Sequence, residues 1–155
     1  MLLLVFRIGG ERYALETRHV REILPYTQLA RLPQAPAWVA GVLDFRGEPV
    51  PVIDLHVLAD GSRTDALMST RVVMLDYPAG GPGRILGLLA EHATEVIKHA
   101  AADTRDTGVH IDDAPYLGEV FNEAGDMIRL IAPEGLLPEH VRGSLYTQAA
   151  EALAG

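Results

Sequence analysis

His110-Ile111-Asp112-Asp113 is the best local cluster of side chains able to hold a cation. On an extended strand His110 and Asp112 would share a face, an imidazole beside a carboxylate, and this pair is the basis for reading the chain as a small metal-dependent hydrolase. The competing reading is a solvated polar loop. No pair among the six histidines has the spacing of H-E-x-x-H. There is no cysteine, which removes thiolate zinc sites, disulfide frameworks and cysteine nucleophiles together. Gly80-Gly81-Pro82-Gly83 lacks the Lys-Ser/Thr ending of a phosphate-binding loop and reads as a hairpin turn. The serines are Ser62, Ser69 and Ser144, and none sits in a G-x-S-x-G elbow. The residues therefore point to a chain that is not an enzyme, with no catalytic residue, no metal ligand and no cofactor.

Two other patterns suit binding. Gly41-Val42-Leu43-Asp44-Phe45-Arg46-Gly47 places Arg46 at a hairpin turn directly before a strand interrupted by prolines. An arginine on such a loop can make planar, two-pronged contacts. In Val20-x-Glu22 the spacing of two puts an apolar side chain and a carboxylate on one side of a strand.

Short runs rich in Val, Ile and Leu must position these residues, and the 15 Gly and 10 Pro fall between them as turns. The chain reads as mainly β. Strands are expected over 2–8 and 12–16 around Gly9-Gly10, and over 19–24, where Pro25 ends the run. A loop over 32–36 leads into a single helical turn over 37–40, since Pro36 suits a first helical position. Strands over 42–45 and 50–55 form a hairpin around Arg46-Gly47-Glu48. Pro49 and Pro51 are two apart, so their missing N–H groups fall on one side of that strand, which cannot be a fully paired ladder. A polar loop over 60–65 forms a joint, approximately at 59–69. Strands follow over 70–77, 85–90 and 92–97, then an irregular stretch over 103–114, a last hairpin of 118–121 and 127–131, and a C-terminal helix over 139–154 weakened by Gly143.

The six residues from His19 to Leu24 and those from His92 to Ile97 lie 73 positions apart, and each set follows a strand, a glycine turn and a strand. Each half then supplies a glycine, Gly41 or Gly118, a short strand, a turn through Gly47 or Gly125, and another apolar strand. Two similar small β units follow from this repeat.

Composition supports a folded chain. At 155 residues, 48% hydrophobic and 22% charged, it can bury a core without a metal or disulfide staple. The net charge of −8 and the scattered arginines argue against nucleic acid. The apolar start, Met1-Leu2-Leu3-Leu4-Val5-Phe6, is broken by Arg7 and lacks the basic flank of a signal peptide. No apolar run is long enough to span a bilayer, so direct membrane insertion is not expected and a cytoplasmic location is.

The sequence resembles the CheW family, adaptors that couple chemoreceptors to the histidine kinase CheA. The matching pieces are Leu4-Val5-Phe6-Arg7-Ile8-Gly9 with Tyr13-Ala14-Leu15, Val20-Arg21-Glu22-Ile23, the block from Pro36 to Gly47, and Pro49-Val50-Pro51-Val52-Ile53-Asp54-Leu55. Residues 85–89, Glu95-Val96, Tyr116-Leu117-Gly118 and 128–137 continue the likeness, which covers about residues 2 to 138. The resemblance implies a single domain made of two intertwined SH3-like five-stranded β-barrel subdomains packed on a shared core. It also implies a receptor-binding surface between the barrels to which Val20, Glu22, Gly41 and Arg46 contribute, Glu22 pairing with Arg46. The implied partners are the regulatory domain of a CheA-type kinase and a chemoreceptor cytoplasmic signalling hairpin, at receptor clusters beneath the inner membrane. Asp44-Phe45 departs from the family's asparagine-leucine, and the added charge is expected to draw Arg46 away from Glu22. The family's N-terminal extension is absent, residues 103–114 do not match, and the compact form is similar to the Wsp-type branch that controls biofilm.

Overall fold

The computed structural model describes residues 1–61, 69–77, 83–99, 115–123 and 125–154. β1 (Leu2–Ile8) and β2 (Glu11–Glu16) form the expected hairpin, closed by the pair Ile8↔Glu11. A 3-10 turn at Thr17–His19 leads into β3 (Val20–Pro25). β4 (Val39–Phe45) and β5 (Glu48–Asp54) form a second hairpin, followed by a short helix, α1 (Leu55–Asp60). β6 (Thr70–Asp76), the long β7 (Ile85–Lys98), β8 (Leu117–Glu123) and β9 (Asp126–Ile131) complete the strands. A 3-10 turn at Pro133–Gly135 precedes the C-terminal helix α2 (Glu139–Ala154).

The pairings divide the strands into two groups of five that share β7. One runs β4-β5-β7-β6-β3, the other β7-β1-β2-β9-β8. In β7, Ile85 to Glu91 pair with β6, whereas Glu91 and Glu95 to Lys98 pair with β1. His92 stands at the crossover with φ 53, a left-handed kink that lets one strand leave the first barrel and enter the second. The runs 85–90 and 92–97, expected as two strands, are therefore one continuous strand with a bend. Neither barrel is built from one half of the sequence. β3 pairs with β6, and the last part of β7 pairs with β1, so each half's third strand completes the other half's first. The two parallel pairings, β5 with β7 and β9 with β2, exchange in the same way. These are the two SH3-like subdomains of the mainly β fold.

Alternation along the strands explains how two barrels pack on one core. Leu43, Val50, Val52, Val72, Met74, Ile85 and Leu89 fill the first barrel, and Leu3, Val5, Ala14, Phe121 and Ile128 fill the second. The intervening residues Leu4, Phe6, Leu15, Val73, Leu75, Leu86 and Leu88 face the larger cluster between the barrels. β1 and β6 thus bury both faces. α2 packs on β4 and β5 through Leu145, Tyr146 and Ala149, and its Gly143 is exposed.

One local expectation is corrected, one helix is added, and two expectations fall mainly outside the described residues. Residues 37–40 do not form a helical turn: Pro36 accepts one hydrogen bond from Val39 N–H at 2.9 Å, and Val39 and Ala40 already belong to β4. A reverse turn needs only that one bond, whereas a helix needs the next residues to follow it. α1 takes in Leu55, expected to end a strand, and Asp60, expected to open the polar loop, with the Asp54 carboxylate accepting from His56 N–H at 3.0 Å as its N-cap. Of the loop and joint expected over 59–69, residues 62–68 lie outside the described residues, as do the irregular stretch 103–114 and Gly80 to Pro82.

Candidate functional site

The site grows from the β4–β5 hairpin. Phe45↔Glu48 is the last pair of the ladder, leaving a two-residue turn, Arg46-Gly47, with φ 54 and φ 86. Positive φ at both residues is the type I′ geometry that matches strand twist; glycine adopts it freely and arginine only when held. The Asp44 carboxylate does part of the holding, accepting a hydrogen bond from Gly47 N–H at 2.8 Å. Asp44 is therefore committed to the backbone of its own turn, and the expectation that it draws Arg46 away is overturned. Arg46 reaches Glu22 on β3, its Nη2 standing 3.5 Å from both carboxylate oxygens. At that separation the contact is an ion pair at the long limit of hydrogen bonding, worth about 0–1 kcal/mol at the surface. Arg46 is 76% exposed and Glu22 33%, so the cation faces outward while the carboxylate is half sheltered. The guanidinium also lies over the Phe45 ring, with Cζ 4.8 Å from its centroid.

Val20 and Glu22 are both on β3, but not on one face. Val20 pairs with Leu75 and Glu22 with Met74, so two steps along β3 match one step along β6. This bulge turns Val20 toward the cluster between the barrels, while Glu22 lies on the side of Met74 and the first barrel's interior. A period-two count cannot anticipate it, because the extra residue resets the alternation.

Gly41 is buried. A Cβ there would lie 2.5 Å from the Ala30 carbonyl oxygen and 2.8 Å from Leu29 Cβ. The connection between β3 and β4 folds back at this point, Ala30 and Val42 exchanging two backbone hydrogen bonds of 2.9 Å. Gly41 thus lets the connection close over β4 and presents no side chain of its own. Sequence reasoning missed Phe45 as a partner of Arg46, although their adjacency at a turn was visible.

Among the described residues, titratable groups elsewhere suggest no other centre. Burial raises the phenols of Tyr116 and Tyr146, and it pushes Tyr13 up to about 12, helped by its 2.9 Å hydrogen bond to Glu11. Among the described residues no group of three or more His, Asp or Glu is arranged to hold a metal ion. His110 and Asp112 lie outside the described residues. Among those residues no helix is long and apolar enough to cross a membrane.

Comparisons with known proteins agree with this geometry. Residues 2–141 match the family described as CheW-like domain. The chain is 24% identical over 142 residues to the chemotaxis protein CheW of Rhizobium meliloti, covering 90% of this chain and 89% of that one. It is 25% identical over 114 residues to CheW of Bacillus subtilis, covering 71% and 73%. The crystal structure of the scaffolding protein TtCheW from Thermoanaerobacter tengcongensis superposes with a TM-score of 0.74 at 23% identity, covering 84% of this chain and 83% of that one. The hydrolase alternative gains no support from any of these relatives. With the family covering nearly the whole sequence and the same fold in a solved relative, the chain belongs to the CheW family of chemotaxis scaffolding proteins.

Proposed function

We propose that this chain is a non-enzymatic adaptor that couples a chemoreceptor's cytoplasmic signalling hairpin to the regulatory domain of a CheA-type histidine kinase. Family membership supports the scaffold role, and one observation carries the site: an outward-facing arginine held at a rigid turn beside Glu22. In this reading Arg46 contacts the receptor, Glu22 orients it, Val20 ties the start of β3 to the core between the barrels, and Gly41 fixes the neighbouring backbone. The protein works in the cytoplasm at receptor clusters, transmitting a conformational bias without a chemical step, and the joint between its halves lies at about 59–69.

The test is binding of the full chain to a purified receptor hairpin and to a kinase regulatory domain. Arg46→Glu is expected to leave the circular dichroism spectrum and melting temperature unchanged, because exposed turn substitutions stay within about 0.5 kcal/mol. It should weaken hairpin binding by roughly 10- to 100-fold, the range of a central charged contact. Equal binding by a well-folded Arg46→Glu variant removes Arg46 from the receptor site, and retention of neither partner by the wild type removes the adaptor reading.

A further inference from the structure

Neighbouring residues on a hairpin ordinarily point to opposite faces, yet the Arg46 guanidinium folds back over the ring of Phe45 because Arg46 has φ 54. That ring is itself immobilised. Phe45 is partly buried and packed against the cluster of Leu43, Val50 and Met74 in the first barrel. Below the guanidinium is a fixed aromatic face; beside it is Glu22, which engages Nη2 alone. Nε and Nη1 have no protein partner among the described residues, and the side chain is 76% exposed. Nη2 carries two N–H groups, and the one not turned to Glu22 still forms, with the nitrogen beside it, the planar fork that fits a carboxylate bidentately. Leucine, the residue of the family-like turn at this position, has no π face to offer a cation.

We propose that Phe45 is a positioning residue for receptor binding: with Glu22 it fixes Arg46 so that the unengaged edge of its guanidinium meets a carboxylate of the receptor hairpin. The inference rests on the adaptor reading above and specifies the chemistry of that same site. Orientation matters here because the chain carries −8 overall and Asp44 and Glu48 flank the turn, so an acidic partner is repelled except where Arg46 is correctly aimed. An arginine already held in place also loses less side-chain freedom when the partner arrives.

A double-mutant cycle on the full chain tests this, with Kd for a purified receptor hairpin measured for wild type, Phe45→Leu and Phe45→Tyr, each with Arg46 and with Arg46→Ala. Phe45→Leu is expected to weaken binding by roughly two- to fivefold, the size of an exposed cation–π contact, and Phe45→Tyr to restore it. In the Arg46→Ala background neither change should alter Kd. Added salt should weaken the wild type more than Arg46→Ala. Should Phe45→Leu melt early, Phe45→Met replaces it as an unbranched apolar filler lacking the ring. Equal weakening in both backgrounds would mean that Phe45 acts only through the barrel core, and equal salt dependence would mean that no carboxylate is met; either result overturns the proposal while leaving the adaptor reading intact. Absence of wild-type binding overturns the adaptor reading itself.

Discussion

Tyr146 supplies a hydrogen bond that Pro51 cannot. The parallel register of β5 and β7, Val52↔Gly87 and Ile53↔Leu88, extended one step back, puts residue 51 where its N–H would meet the Ile85 carbonyl. Proline has no N–H, and the Tyr146 hydroxyl on α2 donates to that carbonyl instead, at 2.8 Å. The sequence reading that one side of the Pro49–Pro51 segment could not be fully paired was sound; nothing in one dimension indicated that a tyrosine 95 positions later would fill the gap. Tyr146→Phe should leave a buried carbonyl unsatisfied and cost about 1–3 kcal/mol in urea unfolding, with little change in m-value. The raised phenols have a pH consequence as well. A phenol held at about 12 in the fold but near 10 in the open chain stabilises the protein fully below pH 10, and that contribution is lost as pH climbs toward 12. Stability should therefore fall between about pH 10 and 12, and Tyr13→Phe should flatten that decline. An unchanged slope in the variant would show that Tyr13 is not responsible.

Among the elements, short runs rich in Val, Ile and Leu between turn residues were legible: β1, β2, β3, β6 and β9, and also the long helix α2. The misses are physical. α1 has six residues, too few for a helical stripe to rise above a strand pattern, and its start is marked only by Asp54 as N-cap. β7 was divided because its bend at His92 depends on switching pairing from β6 to β1, a tertiary event. The Arg46–Glu22 pair came from family resemblance, since the two residues are on separate elements; the bulge that parts Val20 from Glu22 could not. Gly41 belongs to this scale too. Gly41→Ala should force the β3–β4 connection off β4 and cost about 1–3 kcal/mol, as overpacking does. Any lost receptor binding in that variant should track its lowered melting temperature. Reduced binding by Gly41→Ala at full stability would contradict a purely backbone role.

For the molecule as a whole, borrowing of strands decides how it comes apart. If β3 to β5 separated, β6 would lose β3 and the first part of β7 would lose β5; if β1 and β2 separated, the end of β7 would lose β1 and β9 would lose β2. Independent unfolding of one barrel is thus excluded by connectivity, and the large cluster between the barrels reinforces this. Chemical denaturation should give one transition, with circular dichroism coincident with fluorescence from Trp38, which packs on that central cluster. Two separated midpoints would mean that the barrels are energetically independent despite their exchanged strands.

The same exchange carries an implication about descent. A chain of half this length would have unpaired edges that only another copy could satisfy, and two copies would close both barrels with the pairings found here. The present protein has the construction of such a pair with one copy's end joined to the other's beginning. Fusion releases the halves from being identical: where the first sequence has Arg46 before Gly47, the second has Ala124 before Gly125. A symmetric ancestor would offer the same surface twice, whereas the joined chain is free to present a different face to each of two unlike partners.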